Sequence, residues 1–157
     1  MTAFVWVDGW QQECCGRPFK VGGRVEWPVV PLSESSEWLV DVLGCELGST
    51  VGYWVDHHDD LDELSDFNGV VRSIHMVHFD TAPLPADPRV LYPTPGSAQL
   101  VRIEEASGIE RHRHATKFFG GYLVEVEPES PPHPYWLLVG APMRRSRTTQ
   151  RAPNQDN

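Results

Sequence analysis

Several things are missing from this sequence, and each absence removes a class of function. There is no Gly-x-x-x-x-Gly-Lys and no Gly-x-Gly-x-x-Gly, so the chain has no phosphate-cradling loop of the familiar kinds. No Gly-x-Ser-x-Gly elbow is present either. The first ten residues, MTAFVWVDGW, contain no positive charge and no long apolar run, which argues against a signal peptide or membrane anchor. Cysteines number only three, an odd count, so no disulfide framework is expected. These features together predict a cytoplasmic protein with reduced thiols. Basic residues are scarce, 13 against 22 acidic ones for a formal net charge of -9, which disfavours a broad nucleic-acid face.

What is present is a real core composition: 40% hydrophobic residues, 10% aromatic, in 157 residues. That length suits a single domain. Pro and Gly are plentiful, at 14 and 13, and the apolar residues fall in short runs, which favours strands and long loops over helix. The charge is uneven. From Met143 to Asn157 the chain carries Arg144, Arg145, Arg147 and Arg151 against Asp156 alone, with almost nothing apolar. We therefore divide the chain into a compact β domain, 1–142, and a basic disordered tail, 143–157. Only the tail offers a nucleic acid anything to bind; its simplest role is solubility.

The stretch from Trp10 to Trp27 organises the rest. Phe19, Val21, Val25 and Trp27 alternate with Lys20, Arg24 and Glu26, the period of a half-buried strand, and Gly22-Gly23 marks a turn or bulge within it. Cys14 to Pro18 reads as a tight connection. Further strands are expected at Phe4–Val7, Thr50–Val55, Gly69–Phe79, Ala98–Ala106, Lys117–Glu127 and Tyr135–Val139. Five prolines between Thr81 and Ser97 predict an extended surface loop. The pattern predicts one short helix: a serine cap region, then Trp38, Leu39, Val42 and Leu43 on one face, then Gly44 as a stop. About seven strands with one helix predict a mainly β fold, a small antiparallel barrel or sandwich. FKVGGRVEW followed by GVVRSI resembles the strands of small SH3-like barrels.

Gly9-Trp10-Gln11, Cys14-Cys15-Gly16 with Pro18-Phe19, and Val21-Gly22 ahead of Val25 and Trp27 carry a wider resemblance. So do Arg111 to Thr116 and Gly121-Tyr122-Leu123-Val124. On these residues most of the body resembles a family of actinobacterial proteins built on a domain of unknown function. The resemblance implies a compact bacterial cytosolic domain and assigns no activity or catalytic residue.

Candidate chemistry is confined to cysteine and histidine. His112 and His114, two apart on an extended segment, would project to one face and could share a metal ion. Cys14 and Cys15 could add a thiolate, although adjacent side chains ordinarily diverge and a packing role competes. Asp56-His57-His58-Asp59-Asp60 could attract a divalent cation but lacks the ligand spacing of a calcium loop and reads as solvated. His75 and His78, three apart in a strand, face opposite ways. The preferred expectation is a binding or accessory module that contacts a protein partner through its aromatic loops, with no resident cofactor and no membrane association. The alternative is a metal-binding protein or metal-dependent enzyme that uses Cys14 or Cys15 with His112 and His114, zinc being the ion considered.

Overall fold

A computed structural model describes residues 1–32, 36–58, 64–110 and 116–130. His112, His114, the strand expected at 135–139 and the basic tail lie outside the described residues. No helix among those described is long and apolar enough to cross a membrane.

The fold is mainly β. Its strands are β1 (Ala3–Asp8), β2 (Phe19–Lys20), β3 (Arg24–Pro31), β4 (Val51–Val55), β5 (Ser65–Phe79), β6 (Thr81–Pro83), β7 (Leu91–Pro93), β8 (Gln99–Ile103), β9 (Glu105–Ala106) and β10 (Phe118–Pro128). Among the described residues three helices interrupt them: α1 (Gly9–Cys14), α2 (Glu37–Leu43) and α3 (Cys45–Gly48).

The main sheet runs β10-β1-β4-β3-β5-β8, and β10 also pairs with β5. Hydrogen bonds therefore close a ring through β10, β1, β4, β3 and β5. The long strand β5 makes this possible. One edge pairs with β10 from Gly69 to Phe79, while the other takes β3 at Ser65–Val70 and then β8 at Ile74–His78. The ring is not a clean antiparallel barrel, because β1 and β4 run parallel. Two small sheets, β2-β9 and β6-β7, complete the fold, and the second places a short hairpin inside the proline-rich stretch expected to be loop.

Alternation decides which side each residue serves. On β1, Val5 and Val7 join one core cluster with Val25, Trp27, Phe67 and Tyr122, while Trp6 joins a second with Leu39, Val42, Val77, Phe79 and Leu123. The helix pair α2–α3 brings the second cluster its cover. Here Trp6, Trp38 and Trp54 pack together, with ring centroids 5.5 Å apart for Trp6–Trp38 and 5.7 Å for Trp38–Trp54. On β3, Val25 and Trp27 are buried while Arg24 and Glu26 are exposed, as the period-two reading expects. Strict alternation fails on β5. The register with β10 slips between Val71 and Ser73, so Val71, Ile74 and Met76 all reach the same cluster.

Helix α2 forms where the capping pattern places it. Ser36 Oγ accepts from Leu39 N–H at 3.4 Å, and Gly44, with φ at 86°, ends the helix in a conformation that suits a residue without Cβ. Helix α1 is not expected from the sequence; it precedes the connection read at Cys14 to Pro18 and shares only Cys14 with it. Gln12 of α1 is buried and donates from Nε2 to the carbonyl of Arg17 at 2.7 Å, and a side chain at position 16 would collide with it, which explains Gly16.

A buried carboxylate ties the loop after β9 to β10. Glu110, 2% exposed, accepts from Ser107 N and Oγ, from Gly108 N and from Tyr122 Oη, the last at 2.5 Å. Burial alone would raise its pKa, but the bonds from Ser107 and Tyr122 outweigh it and hold the value at about 2. The group thus stabilises the fold fully above its ordinary value of 4.5, and that contribution is lost as pH falls toward about 2. Glu110→Gln is expected to cost about 1.5–3 kcal/mol at neutral pH. It should also flatten the acid limb of stability measured by urea titration between those pH values. Trp27→Ala, removing a large side chain 6% exposed, should cost roughly 3–5 kcal/mol in the same assay; a loss under about 1 kcal/mol would contradict the assigned packing.

Candidate functional site

The parallel pairing of β1 and β4 determines where a site can form. Parallel neighbours end at the same edge of a sheet, and each of these strands feeds directly into a polar segment. β1 runs into α1, which carries Trp10, Gln11, Gln12 and Cys14 with Cys15 at its end; β4 runs into Asp56-His57-His58. The two segments meet at one corner of the molecule.

At that corner Cys14 and Cys15 are joined in a disulfide between adjacent residues. The expectation of free thiols holds for Cys45, which is exposed, and is corrected for this pair. Divergence of neighbouring side chains applies to an extended chain, whereas here the backbone is finishing a helix. Cys15 N and Gly16 N both donate to the carbonyl of Gln11, at 2.9 and 3.1 Å, and this turn swings the two sulfurs to one side.

His58 faces them. Its Nε2 lies 3.7 Å from Cys14 Sγ and 3.9 Å from Cys15 Sγ. The indole of Trp10, itself 59% exposed, stacks on the imidazole with centroids 5.1 Å apart. The backbone beneath is braced twice: Gln11 Oε1 accepts from His57 N at 2.8 Å, and Asp56 Oδ1 accepts from His58 N at 3.0 Å. Cys14, Cys15 and His58 are all exposed, and their three donor atoms lie within 4.8 Å of one another. Of the metal ligands expected from sequence, the two cysteines are brought together; His112 and His114 lie outside the described residues.

Asp8 anchors the corner from below. It stands at the N-cap of α1, yet its carboxylate makes no capping bond. It accepts instead from Trp6 Nε1 at 2.9 Å and Trp54 Nε1 at 2.8 Å. Burial raises its pKa, with the two indole bonds opposing and Asp56 adding to the rise.

His58 was visible in the sequence only as part of an acidic loop. Its association with the cysteines depends on the β1–β4 pairing, for which the sequence carries no local signal. Trp10 and Gln11 follow from the same pairing. Glu110 had no signal beyond being one carboxylate among many. His75 and His78 join no donor cluster among the described residues; His78 is fully buried and packs on Phe119 at 5.3 Å between centroids.

Residues 1–128 match the family of unknown function DUF6578, and the chain belongs to that family. No curated protein matches the chain, and no solved structure does.

Two histidines give the fold a pH dependence in the weakly acidic range. Burial lowers the pKa of His57, with His58 adding to the fall and Asp56 opposing it; burial and then Arg102 lower that of His75, with Glu125 opposing. A histidine that binds its proton more weakly when folded stabilises the fold above its ordinary value of 6.5 and loses that contribution as pH falls below it. The melting temperature should therefore drop on passing from pH 7.5 to 5.5, and the drop should shrink in a His57→Asn, His75→Asn double variant. An unchanged slope in that variant would refute the assignment.

Proposed function

We propose that this member of the DUF6578 family is a small binding or accessory module that contacts a protein partner, and that the thiol state of Cys14–Cys15 sets the shape of the contact corner. The observation that carries the reading is the adjacent-cysteine disulfide seated against His58 under an exposed tryptophan. Exposed aromatic residues are the usual anchors of protein interfaces, and Trp10 stands directly over the sulfur pair's imidazole neighbour. The absence of phosphate-binding and nucleophile-elbow motifs favours a module that binds over one that turns over a substrate.

The chemistry of the switch is thiol–disulfide exchange. A low-molecular-weight thiolate attacks one sulfur, the Cys14–Cys15 bond breaks, and the other sulfur leaves as a thiolate. A second thiolate then attacks the mixed disulfide and releases the free dithiol, so two equivalents of thiol become one of external disulfide. The imidazole of His58 lies within reach of either sulfur and, with its proton on Nε2, hydrogen-bonds whichever one leaves. In a cytoplasmic setting the thiol pool holds the pair open, and the disulfide forms transiently under oxidation.

The test is equilibration of the full chain with thiol–disulfide buffers of graded ratio, read by alkylation and mass spectrometry. Cys14 and Cys15 should interconvert reversibly as a pair, while the exposed Cys45 forms at most a mixed disulfide with the buffer thiol. Tryptophan emission should change in step with the thiol count, and this change should vanish in Trp10→Phe. A pair that stays in one state across all ratios, or emission indifferent to thiol state, would sink the reading.

A further inference from the structure

Opening the disulfide would leave a different kind of site. We propose that the reduced thiols of Cys14 and Cys15, with Nε2 of His58, bind one thiophilic divalent cation of the zinc type, leaving the fourth coordination position to water or to a donor from the partner. The proposal rests on the thiol-switch reading in one respect: only the dithiol binds, because a disulfide sulfur has no thiolate to offer.

The geometry of the three donors carries the inference. Metal–sulfur bonds of about 2.3 Å and metal–nitrogen bonds of about 2.0–2.1 Å, set at a tetrahedral angle, place sulfur and nitrogen about 3.5–3.6 Å apart. The two sulfur–nitrogen separations here are 3.7 and 3.9 Å. Two of the three edges of the ligand triangle already stand close to coordination length. The third, between the sulfurs, would have to reach about 3.8 Å. Covalent bonding holds it shorter, and reduction is the step that lets it lengthen. The sulfurs project together because both residues sit on the turn that ends α1, so the diverging arrangement that makes adjacent cysteines poor partners does not arise.

The imidazole is also prearranged. Its backbone is fixed by the bonds from His57 N to Gln11 and from His58 N to Asp56, and its ring is packed on Trp10. Ligand orientation imposed by such neighbours is a large part of metal affinity. A net charge of -9 adds a general attraction for cations. Among the described residues no other group brings three such donors together. Loading balances simply: each thiol gives up its proton, and the ion takes two thiolates and one neutral imidazole.

The experiment uses the full chain, reduced with a phosphine that does not itself offer a thiol, under argon, and titrated with Co²⁺ and then Zn²⁺. Reduced protein should bind one equivalent of cobalt with the sulfur-to-metal charge-transfer absorption of a thiolate site, and zinc should displace it. Oxidised protein should bind none. Cys14→Ser and Cys15→Ser should each lose the charge-transfer signal, and His58→Ala should weaken binding at least as much as loss of a ligand-orienting partner does, about 10–100-fold. Cys45→Ser should leave the titration unchanged, with circular dichroism confirming that every variant is folded. If protein whose free thiols are verified by alkylation binds neither ion, the metal site is wrong while the thiol switch stands. If the pair never forms a disulfide yet binds cobalt, the switch reading falls and the metal site stands. Binding that survives His58→Ala at full strength overturns the ligand set.

Discussion

The carboxylate of Asp8 joins three parts of the molecule that would otherwise have no common reference. One oxygen takes the indole N–H of Trp6 and the other that of Trp54. Those two tryptophans are register partners across the parallel β1–β4 pair. Aspartate in this place therefore pins the register of the one parallel pairing in the ring, and ring closure through β10 and β5 depends on that register. Asp8 is also the residue from which α1 departs, so the same bonds set the position of the helix that carries the cysteines. Burial opposes its ionisation while the two indoles favour it, and a carboxylate held between such tendencies persists because both acceptor oxygens are satisfied.

From this constraint the corner follows as a matter of topology. Antiparallel neighbours would have sent α1 and the segment after β4 to opposite ends of the sheet. Parallel neighbours send both to the same end, where Gln11 and Asp56 bond the intervening backbone and Trp10 lies on His58. The exposed corner is thus built on a rigid edge of the core, with Trp6 fully buried directly below it. A surface site held in this way can be exposed without being loosely arranged.

The sequence disclosed the elements better than their arrangement, and the reason lies in which interactions are local. Strand β3 was legible because Val25 and Trp27 alternate with charged neighbours, and α2 because Ser36 and Gly44 are local start and stop signals read at fixed offsets. Helix α1 was hidden by its brevity and by Cys14-Cys15-Gly16, which resembles a turn; the helix ends there. The slip in β5 was hidden because a bulge depends on the partner strand. The direction of β4 relative to β1 follows from ring closure, because the other four pairings of the five-strand ring are antiparallel and leave the fifth parallel, and no periodicity records such a constraint. The cysteines could therefore be picked out by type, while the histidine that faces them could be read only beside its acidic neighbours and not with the cysteines.

The disulfide itself is a poor candidate for a structural staple. A cross-link stabilises chiefly by restricting the unfolded chain, and that effect grows with the length of the loop it closes. Joining adjacent residues closes the shortest loop a chain offers, so the contribution from this source is small. Stability instead comes from the two apolar clusters and from networks such as that around Glu110, none of which includes either sulfur. On the proposed thiol-switch reading, opening or closing the Cys14–Cys15 bond would leave the ring of strands as it is, and its consequences would fall on the corner: the sulfurs, the imidazole beside them and the indole above.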